Sequence, residues 1–238
     1  MNLQIAAAQT AEEIIKKIND LLNQETVFSK SKMVIETSSG QLRTFEYDSW
    51  GKDHNEKTLI RYTSPARAKG QAILMRNNAD DIWMYFPRTD RVRKMATHAK
   101  RQKMEGSDFS YEDMGSGDSF LTDFDVKLLG SGKIADEDCF KLELIRKSGS
   151  TSAYQKMSIW SAKKHFHPLQ MEYFEDDGIQ PAKRLTLSDI ETIQGVPTAM
   201  KMIMKDLADG TQTEMQLLEV KYGVSLDEKM FTERGLRQ

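Results

Sequence analysis

Between residues 32 and 220 the apolar side chains of this chain recur with a period of two, in short runs broken by turn-forming residues. In an extended chain, successive side chains point to opposite faces, so each run buries one face and wets the other. Many such runs in succession satisfy their backbones by pairing as an antiparallel meander. The runs read as strands at residues 32–36, 42–50, 58–63, 72–75, 82–86 and 126–129. Further strands follow at 140–146, 155–160, 169–174, 184–187, 199–205 and 214–220. Ser38-Ser39-Gly40, Gly51-Lys52-Asp53, Asn77-Asn78-Ala79-Asp80 and Asp209-Gly210 supply turns between them, and Glu175-Asp176-Asp177-Gly178 reads as another hairpin turn.

Ahead of the strands the period is helical. Thr10 can cap a helix, with Glu13 in capping-box position, and Ile14, Ile15, Ile18, Leu21 and Leu22 form one apolar stripe. The spacing predicts an amphipathic helix over residues 11–24 that can cover an apolar surface. Residues 88–117 break the strand pattern, being first basic and then polar and glycine-bearing. Residues 226–236 read as a short helix or irregular turn. No linker or low-complexity tract divides the chain, so residues 10–238 are expected to form a single domain. Residues 1–9, with Ala6 and Ala8 in an A-x-A pattern before Gln9, read as a signal-peptide remnant or a disordered terminus.

Charge and motif content narrow the function classes. The 34 basic and 36 acidic residues leave a net charge of −2, which gives no bulk attraction for nucleic acid. No run approaches the ~18–20 apolar residues of a membrane-spanning helix. A single cysteine, Cys139, excludes an internal disulfide and reads as a small strand residue. The chain carries no nucleophile elbow, phosphate loop or zinc-helix motif. His165 and His167 lie two apart beside Pro168 with no third ligand in view, so a polar turn is expected there and no metal. No cofactor is implied, and an enzyme has no candidate residues.

Strand parity nominates an apolar face. Phe140, Leu142 and Leu144 share a side, as do Leu169, Met171 and Tyr173, and Leu185 and Leu187. Met200, Met202 and Met204 alternate with Lys201, Ile203 and Lys205, and Met215 and Leu217 stand across the hairpin. The opposite face is expected to be wetter. Fourteen methionines are a heavy load. Methionine either fills a core or lines a surface that accepts ligands of variable shape, such as acyl chains. The expected pocket is lined by Met171, Met200, Met202, Met204, Met215, Leu142, Leu144, Leu185 and Leu187. Ile14, Ile18 and Leu21 of the helix would cover it. The basic cluster Arg91, Arg93, Lys94 and Arg101 reads as a solvated loop or as a contact for an acidic headgroup or partner.

Two adjacent segments carry a resemblance. Trp83-Met84-Tyr85-Phe86-Pro87 leads into Arg91-Val92-Arg93-Lys94-Met95, and Gly106-Ser107-Asp108-Phe109-Ser110-Tyr111-Glu112-Asp113 follows. These segments resemble the outer-membrane lipoprotein-sorting family, a LolA-like group, and the likeness runs over residues 11–236. The resemblance implies a mainly β fold: a curved antiparallel sheet, or incomplete β-barrel, with short helices on its open side. It also implies an exported envelope carrier. Such a carrier would bind lipid or lipoprotein acyl chains and pass them between membranes, from a membrane-protein donor or to an acceptor. The alternative is a sensor or protein-interaction module on the same fold, without lipid transport. Within the octet, Asp108 and Ser110 are expected to bond nearby backbone, while Phe109 and Tyr111 anchor the loop on the sheet.

Overall fold

The computed structural model describes residues 9–117, 119–175 and 178–238. The A-x-A segment and the two aspartates of the 175–178 turn therefore lie outside the described residues. The fold begins with α1 (Ala11–Leu22), where Thr10 and Glu13 close the expected capping box. The strands are β1 (Thr26–Glu36), β2 (Leu42–Lys52), β3 (Lys57–Ser64), β4 (Ala72–Arg76), β5 (Asp81–Phe86) and β6 (Arg91–Lys94). After short 3-10 turns come α2 (Tyr111–Gly115) and α3 (Phe120–Asp123). The chain then runs through β7 (Phe124–Ile134), β8 (Glu137–Arg146), β9 (Lys156–Ala162) and β10 (Pro168–Phe174). It ends with β11 (Lys183–Ile193), β12 (Val196–Asp206), β13 (Thr211–Tyr222) and further 3-10 turns.

All 13 strands form one antiparallel sheet, in the order β6-β5-β4-β3-β2-β1-β13-β12-β11-β10-β9-β8-β7. Two meanders are thus joined where the first strand pairs with the last, Met33 opposite Met215. The sheet does not close: β6 and β7 are its two edges. That topology has a direct consequence. The segment between β6 and β7 must travel from one edge to the other, and it carries α2, α3 and the Gly106–Asp113 octet. An uncovered apolar sheet face is unstable in water, and this crossing segment together with α1 covers it.

The main core lies between the sheet and these helices. Ile14, Ile15 and Ile18 of α1 pack into it, beside β7 and α3, with Phe45, Tyr47 and Tyr62 from the first meander and Leu142, Leu144 and Met204 from the second. Phe109 and Tyr111 of the octet join the same cluster, as their anchoring role requires.

The structure departs from the sequence reading in three places. First, β3 and β4, to which the sequence assigned no outer face, are covered on that side. The C-terminal segment lays Phe231 and Leu236 over Leu59, Ala72, Leu74 and Trp83, so β3 and β4 are buried on both sides. Arg61 pins this strap by donating to the carbonyls of Leu236 and Gly235, at 3.2 and 3.4 Å. Lys52 and Lys57 bond Glu228 and hold its carboxyl down at about 2. Second, residues 91–94, read as part of a loop, form edge strand β6 against β5. Third, Leu169 does not share the face of Met171. The β9–β10 pairing shifts between Pro168 and Gln170, and this irregularity turns Leu169 toward Cys139 and Ala162. Burial pushes the Cys139 thiol up, away from the reactive thiolate.

Candidate functional site

A cavity of about 320 Å³ opens between the sheet and the crossing segment. Met157 on β9, Met171 and Tyr173 on β10, Leu185 and Leu187 on β11, and Met202 on β12 form the second meander's part of its wall, and Val27, Ser49, Gly51, Thr58 and Ile60 on β1 to β3 form the first meander's part. Pairing makes the wall continuous: Met171 stands opposite Leu185, and Leu187 opposite Met202. Met114 and Phe120 face it from the crossing segment and Phe124 from the start of β7, and Leu22 and Asn23 close one side at the end of α1.

The helical side is held by hydrogen bonds that reach across the sheet. Ser110 caps α2, and Asp113 accepts from the Ser110 backbone at 2.7 Å. The other oxygen of Asp113 accepts from the Tyr154 hydroxyl at 2.6 Å, and Lys183 on β11 reaches Asp113 at 3.2 Å. Glu112 accepts from the Ser152 hydroxyl at 2.6 Å and from the Ala153 amide. Burial pushes the Glu112 carboxyl up, and burial followed by the Asp113 charge pushes the Tyr154 phenol up. Gly115 lets α2 sit against the β4–β5 turn: a Cβ there would lie 2.8 Å from Met75 Sδ and 3.1 Å from Ala79 Cβ.

Asp108 bonds further away than expected. Its carboxylate accepts from the hydroxyls of Thr211 and Thr213 on β13, at 2.5 and 2.7 Å, and its amide donates to Thr213. The residue therefore fastens the octet to the last hairpin rather than closing a local turn. Asp108→Ala strands the buried Thr213 hydroxyl and the half-buried Thr211 hydroxyl and should cost ~2–3 kcal/mol, read as a lower urea midpoint with unchanged slope. A midpoint equal to that of the parent would refute this fastening role.

The sequence-predicted residues divide into groups. Met171, Met202, Leu185 and Leu187 line the cavity. Leu142, Leu144, Met204, Met215, Ile14 and Ile18 are packed into the core around it. Met215 is committed there by the Tyr47 hydroxyl, 3.1 Å from its sulfur. Met200, Leu217 and Leu21 are half-buried and stand outside the packed cluster. Near Met200 the left-handed Asp189 of the neighbouring strand interrupts alternation, and Ile190 and Ala199 pack inward in its place. At the α1 end the covering residue is Leu22, not Leu21.

Sequence reasoning missed Met114, Phe120, Tyr154, Met157 and Tyr173 as cavity residues. Met157 was within reach of parity, because it pairs with Tyr173. The Ser110…Asp113 capping box was a legible helix start. Of the basic cluster, Arg91 and Arg93 lie together in a groove, Lys94 pairs with Asp81, and Arg101 is exposed on a 3-10 turn.

His165 and His167 sit in the β9–β10 turn, with ring centroids 6.4 Å apart. Among the described residues no group of three or more His, Cys, Asp or Glu could hold a metal. His167 is buried, and its Nδ1–H donates to the Pro168 carbonyl at 2.7 Å. Burial pushes the imidazole down to about 4. An unfolded histidine titrates near ~6.5, so the unfolded chain takes up the proton first. The stability from neutral His167 is complete above pH ~6.5 and lost as pH falls toward the folded value, by ~3 kcal/mol in all. His167→Gln should flatten the stability-versus-pH slope in that window. Parallel slopes for variant and parent would contradict it.

The cavity can hold an apolar chain. The second meander's part of its wall is apolar, and Asn23, Ser49, Asn55, Glu112 and Asp113 of its polar lining are engaged in internal hydrogen bonds. Among the described residues no helix is long and apolar enough to cross a membrane.

Comparison with known proteins agrees with this geometry. A domain described as a candidate outer membrane lipoprotein-sorting protein from Vibrio parahaemolyticus superposes with TM-score 0.84 at 24% identity, covering 96% of this chain and 97% of that one. A DUF1329 family protein from Desulfovibrio piger gives 0.87 at 23% identity, covering 96% and 100%. A LolA superfamily protein from Nitrosomonas europaea gives 0.79 at 25% identity, covering 95% and 99%. Comparison with curated protein sequences gives no match. A family model described as "Uncharacterized protein" matches residues 54–238. The chain belongs to that family, and it shares the open antiparallel sheet of these LolA-like structures.

Proposed function

We propose that this protein is an envelope carrier, a single lipid-binding unit that holds lipid or lipoprotein acyl chains and passes them between membranes. The observation that carries the reading is the apolar cavity of about 320 Å³ between the open sheet and its helical cover. That volume stands at the lower end of the ~300–1,000 Å³ typical of ligand sites. Each buried CH₂ contributes ~0.8 kcal/mol, so part of one acyl chain is enough for useful affinity. The methionine and leucine wall accepts chains of different lengths and shapes. A carrier needs no catalyst, which fits a polar rim whose hydrogen bonds are internally engaged. Export to the envelope and exchange with a membrane-protein donor or acceptor complete the reading, and the similarity to lipoprotein-sorting proteins supports both.

The direct test is organic extraction of freshly purified protein, followed by mass spectrometry. The expected result is an acyl lipid or lipoprotein in near-stoichiometric amount. Protein that carries no acyl chain and takes up none from lipid vesicles would overturn the carrier in favour of an interaction module.

A further inference from the structure

We propose that the groove at the end of the β5–β6 hairpin binds a phosphate group, of the kind carried by an acidic lipid headgroup or by free phosphate. The groove, about 460 Å³, is lined by Arg67, Arg88, Arg91 and Arg93, with Gln71 and Phe86. These arginines come from three places: the turn after β3, the β5–β6 turn and edge strand β6. Guanidinium forks match phosphate oxygens in pairs, and several forks converging on one concavity form an anion site.

Their surroundings point the same way. Among the described residues none of the four makes an ion pair, whereas nearby cations are engaged. Lys94 pairs with Asp81, Lys100 with Asp80 and Arg237 with Asp90. The acid bonded to the groove's lining is Glu105, which interacts with Arg67 and accepts from Gln71 at 2.9 Å. One carboxylate does not balance four guanidiniums, and an incoming anion would relieve their mutual repulsion. Two of the forks are oriented by rings: Arg67 stacks over Phe45 at 5.5 Å and Arg93 over Phe86 at 5.8 Å. Charged side chains on an edge strand also deter sheet-to-sheet aggregation. That role explains Arg91 and Arg93, but not Arg67, which joins them from another segment.

The groove is separate from the apolar cavity. The β4–β5 turn packs on α2 beside the cavity, and β5 then runs about 17 Å to the arginine end. Binding here therefore stands independently of the acyl-chain reading.

The test compares the parent, Arg91→Ser/Arg93→Ser, and the charge-matched control Arg101→Ser/Lys164→Ser. Each is sedimented with phosphatidylcholine vesicles with and without phosphatidylglycerol, and titrated with inorganic phosphate by NMR. One arginine at an anionic surface contributes roughly fivefold in binding, so the groove variant should bind acidic vesicles roughly thirtyfold more weakly. The control should retain most of its binding. Phosphate-induced shifts present in the parent and lost in the groove variant, without vesicle binding, keep the site and make its ligand soluble phosphate. No response to either phosphate source, or equal losses in control and groove variant, overturns the proposal. So does binding confined to an acidic peptide. Fatty-acid probe binding should be the same in all three proteins, which separates this result from the fate of the cavity.

Discussion

Met202→Glu should weaken binding of a fluorescent fatty-acid probe roughly tenfold while leaving the protein folded. Met202 is half-buried, opposite Leu187 and Met215, with its side chain on the cavity wall. A carboxylate there keeps water in the cavity and denies cover to about two CH₂ groups of the ligand. At ~0.8 kcal/mol each, that is about a factor of ten in affinity. The fold survives because the new charge faces an existing space. Met204, two residues along the same strand, is fully buried in the packed core. Met204→Glu has no such space, and desolvating its charge should unfold the protein or cost several kcal/mol. The contrast is the measurement: circular dichroism and urea midpoints for both variants, with probe titration for Met202→Glu. If Met202→Glu unfolds as Met204→Glu does, the cavity behaves as core. If it folds and binds the probe as the parent does, the ligand lies elsewhere.

Asp113→Ala should be among the most destabilising single changes available, at ~3–5 kcal/mol. Asp113 and Lys183 form an ion pair whose side chains are only 2% and 8% exposed. Removing the carboxylate leaves an ammonium buried without its counter-charge, and it also releases the Tyr154 hydroxyl and the α2 capping amide. For a chain of this size the loss corresponds to a fall in Tm of roughly 10 °C. Adding Lys183→Met removes the stranded charge and should recover a large part of the loss. A single variant within ~1 kcal/mol of the parent would show that water reaches the pair. The consequence for function is local. Asp113 secures the helical cover over the cavity, so a folded but loosened variant should exchange the probe faster than the parent.

The strands were legible because a two-residue period has one physical cause, the alternation of a pleated chain between water and core. Where that contrast is muted, legibility fails. The first half of β1 directs Ser29 and Ser31 inward ahead of Met33 and Ile35, so the strand looks shorter than it is. Thr10, Glu13 and the isoleucine stripe determined α1 from local chemistry alone. The octet likewise declared its anchors, Phe109 and Tyr111, by composition. What only the tertiary structure decided are the relations between distant segments. The pairing of β1 with β13 left two edges and sent the 95–123 segment across the open face. The C-terminal strap buried an outer surface of β3 and β4 that no local pattern assigned. The irregularity at Leu169 and the left-handed Asp189 determined which methionines and leucines face the cavity. Period and propensity act over a few neighbours along the chain. Cavity walls, ion pairs such as Asp113–Lys183 and the convergence of Arg67 with Arg91 depend on contacts between residues far apart in sequence, which no local pattern encodes.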